Sequence, residues 1–196
     1  MYRVRFRTIL DFVFPPQCGG CEGIGSGLCD TCLPRGARIE RRLPTLTVSA
    51  LGIYDGALRR AILALKSGRR DVAEAFAERL SARISSNAIA VPVPTTAARR
   101  RQRGFDGCEL IARLAFGSRV SAGLVQVRGE TQRGRGREAR LTARQRFIWR
   151  GPPLNGARVA LIDDVVTTGA TLEECARTAR CAGGVVTEAV VIATVP

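Results

Sequence analysis

Histidine is absent from the 196 residues, and lysine occurs once, at Lys66, beside 30 arginines. Without an imidazole, the Ser-His-Asp and Cys-His nucleophile pairs are excluded, as is every metal site that uses a histidine ligand. Long apolar runs are also missing, and none approaches the roughly 20 residues that a membrane-spanning helix needs. The opening segment from Met1 carries Arg3, Arg5 and Arg7 before Thr8-Ile-Leu-Asp-Phe-Val-Phe14, an arrangement with the outline of a signal peptide. Its apolar stretch is short, broken by Asp11, and followed by Pro15-Pro16-Gln17 rather than a small-residue cleavage site. We read it as a short helix and expect a cytoplasmic protein with no membrane span.

What is present points to one ordinary core with a small appendage. Hydrophobic residues at 45% and 21 glycines fit a compact α/β chain better than a disordered one. The net charge of +14 is unevenly spread, because residues 99–150 hold 14 basic and 4 acidic groups. A block of this kind fits a polyanionic ligand, either nucleic acid or a phosphate-rich small molecule, or else a solvated surface. Few aromatics stand among the arginines of 99–146 (Phe105 and Phe116), so the stacking platform of single-strand binders is poorly represented.

Seven cysteines divide into two groups. Cys18-Gly-Gly-Cys21 and Cys29-Asp-Thr-Cys32 are two C-x2-C pairs, a spacing that can place four thiolates around one tetrahedral Zn2+. The glycines around them, Gly19, Gly20, Gly23, Gly25 and Gly27, suit knuckle turns that need positive φ or close approach to sulfur. A redox pair is the competing reading for either C-x2-C alone, and two in tandem favour zinc. The metal would act as a structural staple or help contact nucleic acid. An odd cysteine count argues against a disulfide framework, and Cys108, Cys175 and Cys181 read as small buried hydrophobes.

Residues 34–44 form a polar connection with four arginines, giving a boundary between a module at 1–44 and a main domain at 45–196. Strands are expected at 46–53, 88–93, 158–162 and 185–195, and helices at 57–65, 71–84, 105–116 and 171–182. Residues 128–146 lack periodicity and read as a mobile loop. Alternating strands and helices imply a mainly parallel sheet with helices on both faces, preceded by the small four-cysteine module.

The segment richest in chemistry is Val159-Ala-Leu-Ile-Asp163-Asp164-Val165-Val166-Thr167-Thr168-Gly169-Ala170-Thr171. A buried strand is expected to stop at two adjacent carboxylates, followed by a turn of hydroxyls and glycine that opens a helix. Ligands of open α/β sheets bind at the carboxyl ends of strands, and a helix N-terminus receives phosphate. Two carboxylates there can accept hydrogen bonds from the 2′ and 3′ hydroxyls of a ribose.

This segment resembles the phosphoribosyl-pyrophosphate (PRPP) motif of type I phosphoribosyltransferases. The resemblance implies that Asp163 and Asp164 hold the ribose hydroxyls and are the catalytic pair, and that 165–171 complete the PRPP site, with 167–171 on the 5-phosphate. Threonine at 167 stands where purine-salvage members carry an acidic residue. Together with Phe14-Pro-Pro-Gln-Cys-Gly-Gly-Cys21, Leu28-Cys-Asp-Thr-Cys32, Tyr54, Leu65-Lys-Ser-Gly-Arg69, Val91-Pro-Val-Pro94 and Arg103-Gly-Phe105, it resembles the ComF (competence protein F) family. In that family Arg-Gly-Phe is followed by Asn and Gln, where this chain has Asp106 and Gly107. Arg128, Thr131, Gln132 and Arg144 correspond loosely to its flexible loop.

The resemblance implies a transferase that loses Mg2+-pyrophosphate from PRPP and passes the phosphoribosyl group to an unidentified acceptor. Pro94, Thr95 and Arg103 are expected on the pyrophosphate, with backbone N–H groups of the 93–95 turn as donors and arginines of 99–103 and of the 128–146 loop as cover. A rival reading is a non-catalytic sensor of PRPP or a nucleotide that engages single-stranded DNA or the DNA-uptake machinery. Fold resemblance does not choose between them, and oligomeric state is not legible.

Overall fold

A computed structural model describes residues 15–33, 38–85, 87–127 and 146–196. Five strands form a mixed, mostly parallel sheet in the order β1-β2-β7-β6-β3. They are β1 (Ile39–Arg42), β2 (Thr47–Ile53), β3 (Ile89–Pro92), β6 (Arg158–Val166) and β7 (Val185–Thr194). Only β1 runs antiparallel, against β2. Two short strands, β4 (Leu124–Gln126) and β5 (Phe147–Trp149), pair with each other. Among the described residues, five helices run in chain order as α1 (Gly56–Lys66), α2 (Arg70–Leu80), α3 (Ala97–Arg103), α4 (Gly107–Phe116) and α5 (Ala170–Cys181). This is the α/β class with a mainly parallel sheet that the alternation of apolar segments implies.

Strand residues alternate between two apolar layers, as a period of two requires. Ala160, Ile162, Val190 and Ile192 join α1, α2 and α4 in one cluster, whereas Val159, Leu161, Ala189 and Val191 join α5, β4 and β5 in the other. The first cluster also takes in Cys18, Leu28, Cys29 and Leu33, so the cysteine segment packs on α1 and α2.

Several expectations are corrected. The supposed connection at 34–44 contains β1, whose pairing with β2 outweighs its polar composition. The helix expected over 71–84 ends at Leu80 and tightens into a 3-10 turn at Ser81–Arg83. Helix α3 has no buried residue and therefore no apolar stripe to detect. Its signals are its ends: the Thr96 hydroxyl accepts the Arg99 N–H, and Gly104 closes it in the left-handed conformation at φ 76°. The helix expected from Phe105 starts at Gly107, capped by Asp106. Strand β6 does not stop at the carboxylates. Pairing with β3 ends at Ile162, but β7 continues to pair through Asp163↔Val191, Val165↔Ala193 and Val166↔Thr194. One edge of β6 therefore opens at the aspartate pair while the other holds it rigid. The loop expected at 128–146 lies almost wholly outside the described residues, as does the N-terminal helix.

Candidate functional site

The segments leaving the carboxyl ends of β3 and β6 border a cleft of about 210 Å3. Asp163, Asp164 and Thr171 line it from one side, and Pro94, Thr95, Arg99 and Arg103 from the other. The two carboxylates have different surroundings. Asp164 pairs with the Lys66 ammonium at 2.7 Å, at the end of α1. Asp163 accepts the Asp164 N–H at 2.8 Å and faces the Cys108 thiol at 3.7 Å, both through Oδ1. Part of its side chain opens into the cleft, yet the surrounding protein displaces enough water that desolvation, reinforced by the Asp164 charge, pushes its pKa up to about 7. Burial also pushes the Cys108 thiol well up, with Asp163 and Asp164 adding to the effect, so this sulfur stays protonated as a donor.

The 93–95 turn does not offer the backbone donors expected of it. The Val93 N–H bonds the Ile162 carbonyl at 2.8 Å, proline has none, and the Thr95 N–H is held by Asp106 Oδ2 at 2.7 Å. Asp106 is 6% exposed, and its Oδ1 also caps α4 through the Cys108 and Glu109 N–H groups at 3.0 and 3.2 Å. It fixes the turn, whose backbone N–H groups at Val93 and Thr95 are therefore already engaged.

Along the 163–171 segment, Val165 and Val166 pack into the two apolar clusters rather than the cleft. Thr167, Thr168 and Ala170 are exposed, and Gly169 is buried at φ 85°. A Cβ at Gly169 would also stand 2.6 Å from the Leu43 side-chain end, so conformation demands glycine and a larger residue would displace Leu43. The first-turn N–H groups of α5 lack intrahelical partners, as at any helix start.

A second constellation lies in the cysteine segment. The sulfurs of Cys18, Cys21, Cys29 and Cys32 all lie within 4.8 Å of one another, with Cys18–Cys29 at 3.7 Å and Cys21–Cys29 at 3.8 Å. A tetrahedron with Zn–S bonds of about 2.3 Å has edges of about 3.8 Å, so the spacing fits that ion. Burial opposes the Cys18 thiolate, but N–H donors from Cys29, Cys21 and Gly20 outweigh it and lower its pKa to about 6. Cys32 is pushed up by burial and by its neighbouring thiols, because adjacent thiolates repel without a cation between them. The left-handed positions of this knuckle are Glu22 (φ 63°) and Gly25 (φ 126°). Gly20 and Gly27 serve close approach instead: a Cβ would lie 2.9 Å from Cys32 Sγ and 2.3 Å from the Asp71 carbonyl oxygen, respectively.

No family model matches the chain. It is 27% identical over 169 residues to Competence protein ComFC of Bacillus subtilis (strain 168), covering 83% of this chain and 69% of the relative. With the four-cysteine cluster, that similarity supports the ComF family.

The sequence left two cleft residues, Lys66 and Asp106, without a stated role. Lys66 had a signal in being the sole lysine. Asp106 stands where the family carries an amide, and its capping geometry explains a carboxylate. Arg146, the one described arginine of the 128–146 segment expected to cover the ligand, also borders the cleft, with its N–H and Nε on Glu174 at 2.6 and 2.9 Å. Of the scattered cysteines, Cys108 and Cys175 are buried, whereas Cys181 is exposed because it ends α5. Arg128, Thr131, Gln132 and Arg144 lie outside the described residues, among which no helix is long and apolar enough to cross a membrane.

Proposed function

We propose that this ComF-type chain binds PRPP in the cleft and transfers its phosphoribosyl group to an acceptor, with release of pyrophosphate. The observation that carries the reading is the pairing of unlike carboxylates at the opened edge of β6, opposite Arg99 and Arg103 in one cleft. Lys66 neutralises Asp164, while Asp163, once ionised, accepts a hydrogen bond from a ribose hydroxyl. The arginines meet a pyrophosphate as forked donors, and the start of α5 meets the 5-phosphate. In the reaction the bond from C1 to the pyrophosphate oxygen breaks with its electron pair leaving on pyrophosphate. The acceptor's lone pair forms the new bond at C1, and its proton passes to solvent. These residues stabilise the departing charge and hold the sugar still.

Among the described residues, the cluster of three or more metal-ligating side chains is the four cysteines. Mg2+ bound with PRPP would supply charge neutralisation to the leaving group. Zn2+ in the cysteine cluster is proposed as structural. Its site packs on α1, whose last residue is Lys66.

The likeness to a protein named for competence favours a second reading, in which PRPP occupancy governs a step of DNA uptake without chemistry. Incubation of purified protein with PRPP, Mg2+ and candidate acceptors separates the two. Enzymatic transfer gives acceptor-dependent pyrophosphate. PRPP binding without pyrophosphate release under any acceptor favours the sensor.

A further inference from the structure

We propose that Arg41, on the edge strand β1, is a recognition residue for the 5-phosphate end of the ligand. This rests on the reading of the cleft as a PRPP site. Along β1 the inward positions alternate as Ile39, Arg41 and then Leu43 beyond the strand end. Ile39 and Leu43 pack against the apolar cluster of α5 and the sheet, while Glu40 and Arg42 are exposed. Arg41 is half-buried between two packed aliphatic residues, and its exposed guanidinium donates through NH1 to the carbonyl oxygen of Thr167, 126 residues away. Thr167 opens the loop that ends in Gly169, and Leu43 covers that glycine closely.

The turn that follows β1 is tied to α5 at Thr45. Glu173, in the first turn of α5, accepts the Thr45 N–H at 2.9 Å, and Arg180 donates to the Thr45 hydroxyl at 2.7 Å and carbonyl at 2.9 Å. Charge gives the second argument. Residues 163–174 contain four carboxylates, Asp163, Asp164, Glu173 and Glu174, and no basic residue. A phosphate monoester arriving there needs a cation from elsewhere in the fold. Lys66 is occupied by Asp164, and Arg146 by Glu174. Arg41 touches the loop backbone and uses one of five N–H donors to do so. An inward charge on an edge strand also discourages edge-to-edge pairing, which is the ordinary role to be tested against.

Ribose 5-phosphate and inorganic pyrophosphate probe the two ends of the site separately. Binding of each, and of PRPP with Mg2+, is measured by calorimetry for the unmodified protein, Arg41→Gln, Arg41→Lys and the outward-facing control Arg42→Gln. Arg41→Gln keeps the aliphatic stem and loses the charge. The proposal expects it to weaken ribose 5-phosphate and PRPP about tenfold or more, with pyrophosphate changed less than about twofold. Lysine at 41 restores part of the loss, and Arg42→Gln changes nothing. Unchanged ribose 5-phosphate affinity in Arg41→Gln, or equal loss of both probes, overturns the proposal and leaves Arg41 as an edge guard. If the unmodified protein binds no PRPP, the reading of the cleft itself falls, and the proposal with it. Should Arg41→Gln fold poorly by circular dichroism, Arg41→Lys decides alone, by whether its loss is selective for ribose 5-phosphate.

Discussion

Asp163 titrates at about 7 because water is scarce around it and Asp164 stands next in sequence. A carboxyl whose pKa rises on folding binds its proton more tightly in the folded chain. Its stabilising share is therefore complete below about pH 4, the unfolded range, and is lost as pH climbs towards 7. Asp163→Asn removes this penalty while its amide oxygen can still accept the Asp164 N–H. The variant is expected to melt higher than the unmodified protein at pH 8 and at the same temperature near pH 4. Thermal scans at both pH values check this; a lower melting temperature at pH 8 would mean a structural role for the carboxylate. At this scale the sequence exposed the aspartates, since two adjacent charges ending an apolar run have no packing purpose. It concealed their inequality, because Lys66 and Cys108 reach them from 98 and 55 positions away. Asp106 was concealed similarly, its three N–H partners being set by how α4 meets the 93–95 turn.

Among the elements, β2, β3, β6 and β7 and the amphipathic helices α1, α2, α4 and α5 were legible from apolar spacing. Those missed had nothing of the kind to show: β4 and β5 are three residues each, and α3 exposes every side. Strand β1 reads as a linker because three of its four residues are charged, and pairing with β2 is a long-range fact that local composition omits. The cysteine segment belongs to this scale as well. Gly19 lies against Ala61 and Val72, and the Arg60 Nε donates to the Gly20 carbonyl at 2.6 Å, so the knuckle braces α1. One zinc per chain is expected by elemental analysis after anaerobic purification. Stripping it should lower the melting temperature of the whole protein, since even a 2 kcal/mol loss moves a chain of this length by roughly 4–8 °C. A metal-free preparation with undiminished melting temperature would refute the staple.

Over the whole molecule, the basic block divides by location. Arg99 and Arg103 line the cleft, whereas Arg100 and Arg113 are engaged with Glu109 outside it. Charge placed to hold a small phosphate ligand differs from a stripe built for a polymer. Duplex DNA affinity is therefore expected to be weak, with a salt slope implying fewer than about six phosphate contacts. A steeper slope with tight binding, read by titration at several salt concentrations, would favour the DNA-handling reading over transfer. The central claim, that the cleft holds PRPP through the β6 carboxylates, is tested most directly by calorimetric titration of PRPP and Mg2+ into the unmodified protein, Asp163→Asn and Asp164→Asn. Charge-assisted hydrogen bonds to sugar hydroxyls contribute about 1.5–3 kcal/mol each, so each variant should bind about 10- to 150-fold more weakly with its fold intact. Equal affinity in all three proteins would contradict the account.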